Sequence, residues 1–103
     1  MEKDLTLLEK YISRADAISW RIIDGEAVIL SGGKYLHILN RLATQIWESA
    51  DGKTRLRDIV SRICERFEVD WDTAQHDVMI FIPQLQTKEL IIITQDKDEE
   101  LDG

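Results

Sequence analysis

The chain has 103 residues, the length of a single domain, since domains usually contain about 50–250 residues. Its 44% hydrophobic and 32% charged residues, with one proline and five glycines, exclude a disordered or collagen-like chain. The net charge of -7 disfavours a nucleic-acid partner, because phosphate binding depends on cationic side chains. The apolar runs are too short to span a bilayer and the N-terminus lacks the pattern of a secretory signal, so we expect a cytoplasmic protein.

The first sixteen residues place apolar side chains at helical spacing. Leu5, Leu8 and Ile12 recur every three or four positions, which predicts a short amphipathic helix. We interpret residues 1–16 as an N-terminal extension and residues 17–94 as the domain itself.

A period of two then predicts a sheet. The alternation begins at Ile18 and is interrupted at Asp24-Gly25, a pair that predicts a hairpin because a type I′ turn needs positive φ at both central residues. A second interruption at Ser31-Gly32-Gly33 precedes Lys34–Leu39, which predicts a third strand. The sequence therefore predicts a three-stranded antiparallel meander whose third strand lies at its edge.

Three helices are expected next. Asn40, Thr54 and Asp70 are each placed to cap one of them, because short polar side chains accept hydrogen bonds from the free amides of a first turn. Gly52 is expected to end the first helix. Pro83 should kink or break the third helix, or else remove one of its hydrogen bonds at a cost of about 3 kcal/mol.

A final strand and a charged tail complete the chain. The run Leu90–Thr94 predicts the strand, and residues 95–103 predict an acidic, disordered tail. The predicted fold is therefore α+β and winged helix-turn-helix-like, with a three-stranded antiparallel meander followed by three helices and a short final strand.

The sequence offers little for catalysis or metal binding. The only histidines, His37 and His76, are far apart, and no HExxH, CxxC or GxSxG pattern occurs. We therefore predict no enzyme activity, no metal site and no cofactor. Cys64 lies at a core position of the second helix and is expected to be an inert buried thiol. His37 is either an ordinary half-exposed strand histidine or a partner contact.

Two features indicate a binding surface. The third strand presents unpaired backbone groups at the sheet edge, which proteins usually cover. In the third helix, Met79 and Ile80 are apolar residues beyond those that the core needs. Either the N-terminal helix or a dimer partner covers them, or they line a groove beside the edge strand for a peptide that adds itself to the sheet.

The order and spacing of several motifs resemble the PqqD family over roughly residues 17–93. These motifs are Asp24-Gly25-Glu26-Ala27-Val28-Ile29-Leu30, Tyr35 to Asn40, Ile46-Trp47-Glu48, Asp51-Gly52, Ile59-Val60, Phe67-Glu68-Val69-Asp70, Asp77-Val78 with Phe81 and Leu85, and Lys88-Glu89-Leu90-Ile91. The resemblance implies a non-enzymatic peptide chaperone of ribosomally synthesised, post-translationally modified peptide pathways. Such a protein binds the leader segment of a precursor peptide and presents it to a modifying enzyme, often a radical S-adenosylmethionine enzyme.

The same resemblance implies where the leader lies, as an added antiparallel strand wedged between the third strand and the third helix. The implied peptide-binding residues are Lys34, Tyr35, Leu36, His37, Ile38, Asp77, Ile80, Phe81 and Gln84. Asp77 or Lys34 would select for charge in the leader. Glu89 stands where the family usually has glycine, and Ile80 stands where a small residue is common.

Two other interpretations stay open at this point. A winged-helix transcriptional regulator would insert its third helix into DNA, but that helix has no Lys or Arg before Lys88, and the second-helix arginines are interleaved with Asp58 and Glu65. A structural homodimer would instead bury the apolar surplus of the third helix.

Overall fold

The computed structural model describes residues 7–16 and 18–95, in which there are two small sheets and three helices of 9 to 17 residues. The elements in chain order are β1 (Tyr11–Arg14), β2 (Ile18–Ile23), β3 (Glu26–Ser31), β4 (Tyr35–Ile38), α1 (Arg41–Ser49), β5 (Asp51–Arg55), α2 (Leu56–Phe67), α3 (Trp71–Thr87) and β6 (Ile91–Thr94). The predicted α+β class is confirmed, with the antiparallel meander, three helices and final strand in the predicted order. The predicted acidic tail lies outside the described residues from position 96 onward.

The meander has the strand order β2-β3-β4. Asp24 and Gly25 join the first two strands with φ values of 53° and 82°, which confirms the predicted hairpin turn. Ala27 and Ile29 of β3 are fully buried and define the face that packs on the core. The backbone N–H of Ala27 also donates to Thr44 Oγ1 at 2.8 Å, which attaches β3 to α1.

The helix predicted over the first sixteen residues is wrong for Tyr11–Arg14, which form a strand instead. Leu7 and Leu8 are helical, and residues 1–6 of the predicted helix lie outside the described residues. β1 pairs with β5 on one side and with β6 on the other, in the sheet order β5-β1-β6. Its Tyr-Ile pair favours extended structure, and Ile12 is fully buried. Arg14 donates to the Trp47 carbonyl at 2.9 Å, and its guanidinium lies 5.0 Å from the centre of the Trp20 ring. This segment therefore contributes to the hydrophobic core through Ile12.

The helix caps agree with the sequence in two cases of three. Asn40 accepts a hydrogen bond from the Ala43 N–H at 2.8 Å, and Asp70 accepts one from the Thr73 N–H at 2.9 Å. The expected cap at Thr54 is wrong, because this residue lies buried within β5 and α2 begins after Arg55 without a side-chain cap. Gly52 does not end α1, as was expected, because α1 ends at Ser49 and Gly52 lies within β5.

The third helix continues through its proline. α3 runs from Trp71 to Thr87 with Pro83 inside it, so the break considered above does not occur and the helix gives up the hydrogen bond that Pro83 cannot donate. Ala74, Val78, Ile82 and Leu85 hold this helix on the core, whose centre is the fully buried Trp47. None of the helices in the described part of the chain is long and apolar enough to cross a membrane.

Candidate functional site

The outer edge of β4 is open among the described residues. β4 pairs only with β3, in a register that places Ile38 opposite Val28 and Leu36 opposite Leu30. Side chains along β4 are largely exposed, with exposed fractions of 61% for Tyr35, 63% for Leu36 and 62% for Ile38. The expectation of an uncovered edge strand is therefore met within residues 7–16 and 18–95.

The hydrogen-bond alternation identifies which backbone groups face outward. The Leu39 N–H donates to the Ala27 carbonyl at 2.9 Å, so Leu39 directs its N–H toward β3. Because successive residues of an antiparallel strand alternate between the two sides, His37 also faces β3, whereas Leu36 and Ile38 direct their N–H and C=O groups to the open edge. These four groups are the ones that an added strand would bind.

A concave surface adjoins the inner face of β4. This cavity has a volume of about 400 Å³ and lies between Tyr35 and His37 of β4 and the C-terminal end of α3, with Thr87 and Lys88 on the opposite side. The remaining lining residues are Asp16, Ile18, Ser31, Gly32 and Glu89. We call this surface the β4–α3 groove.

The predicted α3 residues lie on the helical stripe that leads into this groove. Residues 77, 80, 81 and 84 recur at intervals of three and four, and residues 87 and 88 continue the same series to the cavity. Ile80 is 46% exposed and Phe81 is half-buried against the core. Asp77 is half-buried and Gln84 is exposed. The stripe thus offers an apolar centre between two polar positions.

The structure brings only some of the predicted site residues together. Tyr35 and His37 share the cavity with the end of α3, whereas Leu36 and Ile38 point to the opposite face of the sheet. The described residues that line the cavity do not include the four predicted α3 residues, which lie further toward the N-terminal end of the helix. Lys34 lies in the turn before β4, with its Nζ 5.6 Å from the centre of the Tyr35 ring. The His37 ring is half-buried, with Nε2 3.5 Å from Ser31 Oγ.

Several groove residues were missed by the sequence prediction. Thr87 and Lys88 could have been found, because they extend the stripe of Ile80 and Gln84 by one turn. Asp16 and Ile18 carry no such signal, since only the pairing of β2 with β3 brings the start of β2 to the groove. The groove therefore contains two carboxylates, Asp16 and Glu89, and one lysine, Lys88, so it carries charges of both signs.

The other edge of the meander has a different setting. Beside β2 lies a cavity of about 280 Å³ whose lining includes Arg14, Trp20 and Asp51. Arg14 already donates to the carbonyls of Trp47 and Glu48 at 2.9 and 3.2 Å. The β2 edge therefore adjoins a surface whose cation, Arg14, is engaged internally, while the β4 edge adjoins the C-terminal end of α3 at Thr87 and Lys88.

The surface does not favour the DNA-binding interpretation. α3 has no Lys or Arg along Trp71–Thr87 and carries Asp72 and Asp77. Of the basic side chains near α2, Arg57 pairs with Glu9 at 2.8 Å and Arg55 lies 3.7 Å from the same carboxylate. A helix with this charge lacks the cationic groups that neutralise phosphates.

Metal binding has no geometric support in the part of the chain that the structure describes. Within residues 7–16 and 18–95, no three His, Cys, Asp or Glu side chains come close enough to hold an ion. The Cys64 thiol is half-buried rather than fully buried and packs against the core.

Comparisons with known proteins match the same region. The family model described as coenzyme PQQ synthesis protein D (PqqD) matches residues 26–91. Among solved structures, the chain is similar to one described as TbiB1 in complex with the TbiA(beta) leader peptide. That chain is 30% identical, the match covers 77% of this chain and 93% of that one, and the TM-score is 0.69. No curated protein matches the chain. The family match runs from β3 to the start of β6 and so includes both sides of the β4–α3 groove.

Proposed function

Because this chain belongs to the PqqD family, we propose that it binds the leader segment of a ribosomally synthesised precursor peptide and presents it to a modifying enzyme. The observation that carries this proposal is the open edge of β4 beside the β4–α3 groove, since an exposed strand edge next to a groove that can receive side chains is the setting for β-strand addition. The similar TbiB1 structure, which contains a leader peptide, supports the same assignment.

Backbone pairing supplies the first part of the interaction. The leader extends antiparallel to β4 and forms hydrogen bonds with the outward N–H and C=O groups of Leu36 and Ile38. Main-chain pairing of this kind gives affinity with little sequence preference, because every residue except proline offers the same backbone N–H and C=O groups. Each net hydrogen bond contributes about 0.5–1.5 kcal/mol.

Side-chain burial against α3 supplies the selectivity. Alternate residues of the leader point toward α3, where Ile80 and Phe81 offer apolar contact. Burying one apolar side chain fully contributes about 1.5–3 kcal/mol. Asp77 and Lys34 favour leaders of complementary charge.

The protein acts without catalysis, metal or cofactor of its own in this proposal. The chemistry resides in a separate modifying enzyme, and the family resemblance points to a radical S-adenosylmethionine enzyme as a frequent partner. The proposed complex forms in the cytoplasm. It requires only one copy of this chain, because the edge and the stripe belong to the same domain.

The test is a titration of ¹⁵N-labelled protein with the leader encoded by a precursor gene adjacent to this one. Amide shifts are expected at residues 34–38 and 77–84. Shifts confined to other regions, such as β2, would overturn the placement.

A matched pair of variants tests the contribution of the α3 stripe. Ile80→Glu is expected to weaken leader binding roughly tenfold or more, because it replaces an apolar contact of about 1.5–3 kcal/mol by a charge. Ile92→Glu on β6 is the control, since Ile92 is 45% exposed and Ile80 is 46% exposed. Equal affinity of the two variants would contradict the proposal.

A further inference from the structure

The face of the meander opposite the core carries an apolar strip. The register pairs Val28 with Ile38 and Leu30 with Leu36. Directly paired residues share a face, and the neighbouring Ala27 and Ile29 point into the core. The four paired side chains therefore lie together on the outer face, and we call them the outer strip.

The outer strip is displaced toward the open edge of β4. Leu36 and Ile38 on the edge strand are 63% and 62% exposed, whereas Leu30 on the central strand is 38% exposed. On the β2 side of the same face the register places Ser19 opposite Leu30 and Arg21 opposite Val28, and the exposed Ile23 lies opposite Glu26 at the turn end of the hairpin. An apolar surface that extends onto the edge strand is expected in a sheet whose next strand is supplied by another molecule.

The backbone and the side chains of β4 single out the same two residues. Leu36 and Ile38 direct their N–H and C=O groups outward, where no other described strand pairs with them, and they also carry the most exposed side chains of the outer strip. In an antiparallel pair, the residues opposite each other have Cβ atoms about 4.5–5.5 Å apart. A strand bonded to this edge must therefore place two of its own side chains beside Leu36 and Ile38.

We propose that the outer strip is a second specificity surface for the leader, which reads two apolar leader residues separated by one position. The residue between them lies opposite His37 and points into the β4–α3 groove. The leader is therefore an extended segment whose side chains are apolar on both faces of the added strand over this stretch, not only on the face toward the groove. This inference rests on the proposed function.

The size of the strip favours the leader over a second copy of the chain as its occupant. Each partner of a standard protein interface buries about 800 Å². Four partly exposed side chains, bordered by Ser19 and Arg21, provide only a fraction of that area. Two side chains of an added strand, in contrast, are sufficient to cover Leu36 and Ile38.

The test selects binders from a displayed library of random ten-residue peptides on three forms of the full chain. These forms are the wild type, the double variant Leu36→Thr/Ile38→Thr, and Ile80→Glu. Threonine keeps the strand propensity and removes the apolar contact. Wild-type binders are expected to be apolar at two positions of one alternation as well as at the groove-facing positions. The double variant should lose the preference for apolar residues at the positions opposite Leu36 and Ile38. Ile80→Glu should lose the preference for apolar residues at the alternate positions, which face α3.

Affinity provides a second readout. A peptide selected on the wild type should bind the double variant about 2- to 30-fold more weakly, which is the range expected from two cross-strand pairs. Ile23→Thr is the matched control and should leave affinity unchanged, because Ile23 is an exposed isoleucine on the same face but on β2.

The possible outcomes separate the two proposals. A double variant that retains both preferences overturns the second surface and leaves the proposed function intact. A wild type that selects no peptide overturns the proposed function and this inference together. Sedimentation of the wild type as a dimer and of the double variant as a monomer would assign the outer strip to self-association instead.

Discussion

Proline substitution at β4 separates binding from folding. The Leu36 N–H faces the open edge and takes no part in the β3–β4 ladder, so Leu36→Pro removes a donor for the leader without removing a ladder bond. Leu36→Ala is the reference because it lacks the same side chain but keeps the N–H. Loss of one net hydrogen bond of about 0.5–1.5 kcal/mol predicts that the proline variant binds about 2- to 13-fold more weakly than the alanine variant.

The measurement is titration calorimetry with a peptide selected on the wild type, together with urea unfolding of each variant. Leu36→Pro and Leu36→Ala should have nearly equal free energies of unfolding. His37→Pro is the contrasting control, because its N–H faces β3 and its loss should lower the free energy of unfolding. A folded Leu36→Pro variant that binds as tightly as Leu36→Ala would refute the assignment of the outward backbone groups.

Three further predictions concern stability. Ile12→Ala should lower the free energy of unfolding by about 2–5 kcal/mol in urea, because it removes a fully buried side chain of β1; a negligible change would mean that β1 is dispensable. Asn40→Ala should lower it by about 0.5–2 kcal/mol through loss of the cap on Ala43, and Asn40→Ser should recover most of this. Hydrogen bonds from the Thr73 backbone and side chain hold the pKa of Asp70 below its ordinary value of 3.8. The resulting stabilisation is present above that value and is lost as pH falls through the lower folded-state pKa, so Asp70→Asn should show a flatter decline of Tm in acid.

Local signals in the sequence predicted local structure well. The Asp24-Gly25 turn and the caps at Asn40 and Asp70 depend on residues a few positions apart, and all three are present. The two strands that were missed, β1 and β5, pair with each other across some forty positions of the chain. Their stability comes from non-local hydrogen bonds and from burial of Ile12, so the short apolar spacing of the N-terminus was equally compatible with a helix.

The candidate site was predictable to the extent that it follows from single elements. An edge position for β4 follows from a three-stranded meander, and Ile80 and Phe81 follow from helical periodicity. The orientation of Leu36 and Ile38 away from the groove depends on the register with β3, because a shift of one residue would exchange the two faces. The resemblance that grouped Leu36 with His37 therefore could not distinguish the side chains that face α3 from those of the outer strip.

The distribution of buried residues explains how the edge can stay open without destabilising the fold. No residue of Tyr35–Ile38 is fully buried, whereas β1, β3, α1, α2 and α3 all supply side chains to the core. β4 is attached through its ladder to β3, and the Leu39 that follows it is 6% exposed. Leaving the outer edge of β4 unpaired thus costs no core packing. Substitutions at Leu36 and Ile38 should therefore change peptide recognition while the free energy of unfolding stays nearly constant, which makes this strand the part of the domain that can diverge to fit different leaders.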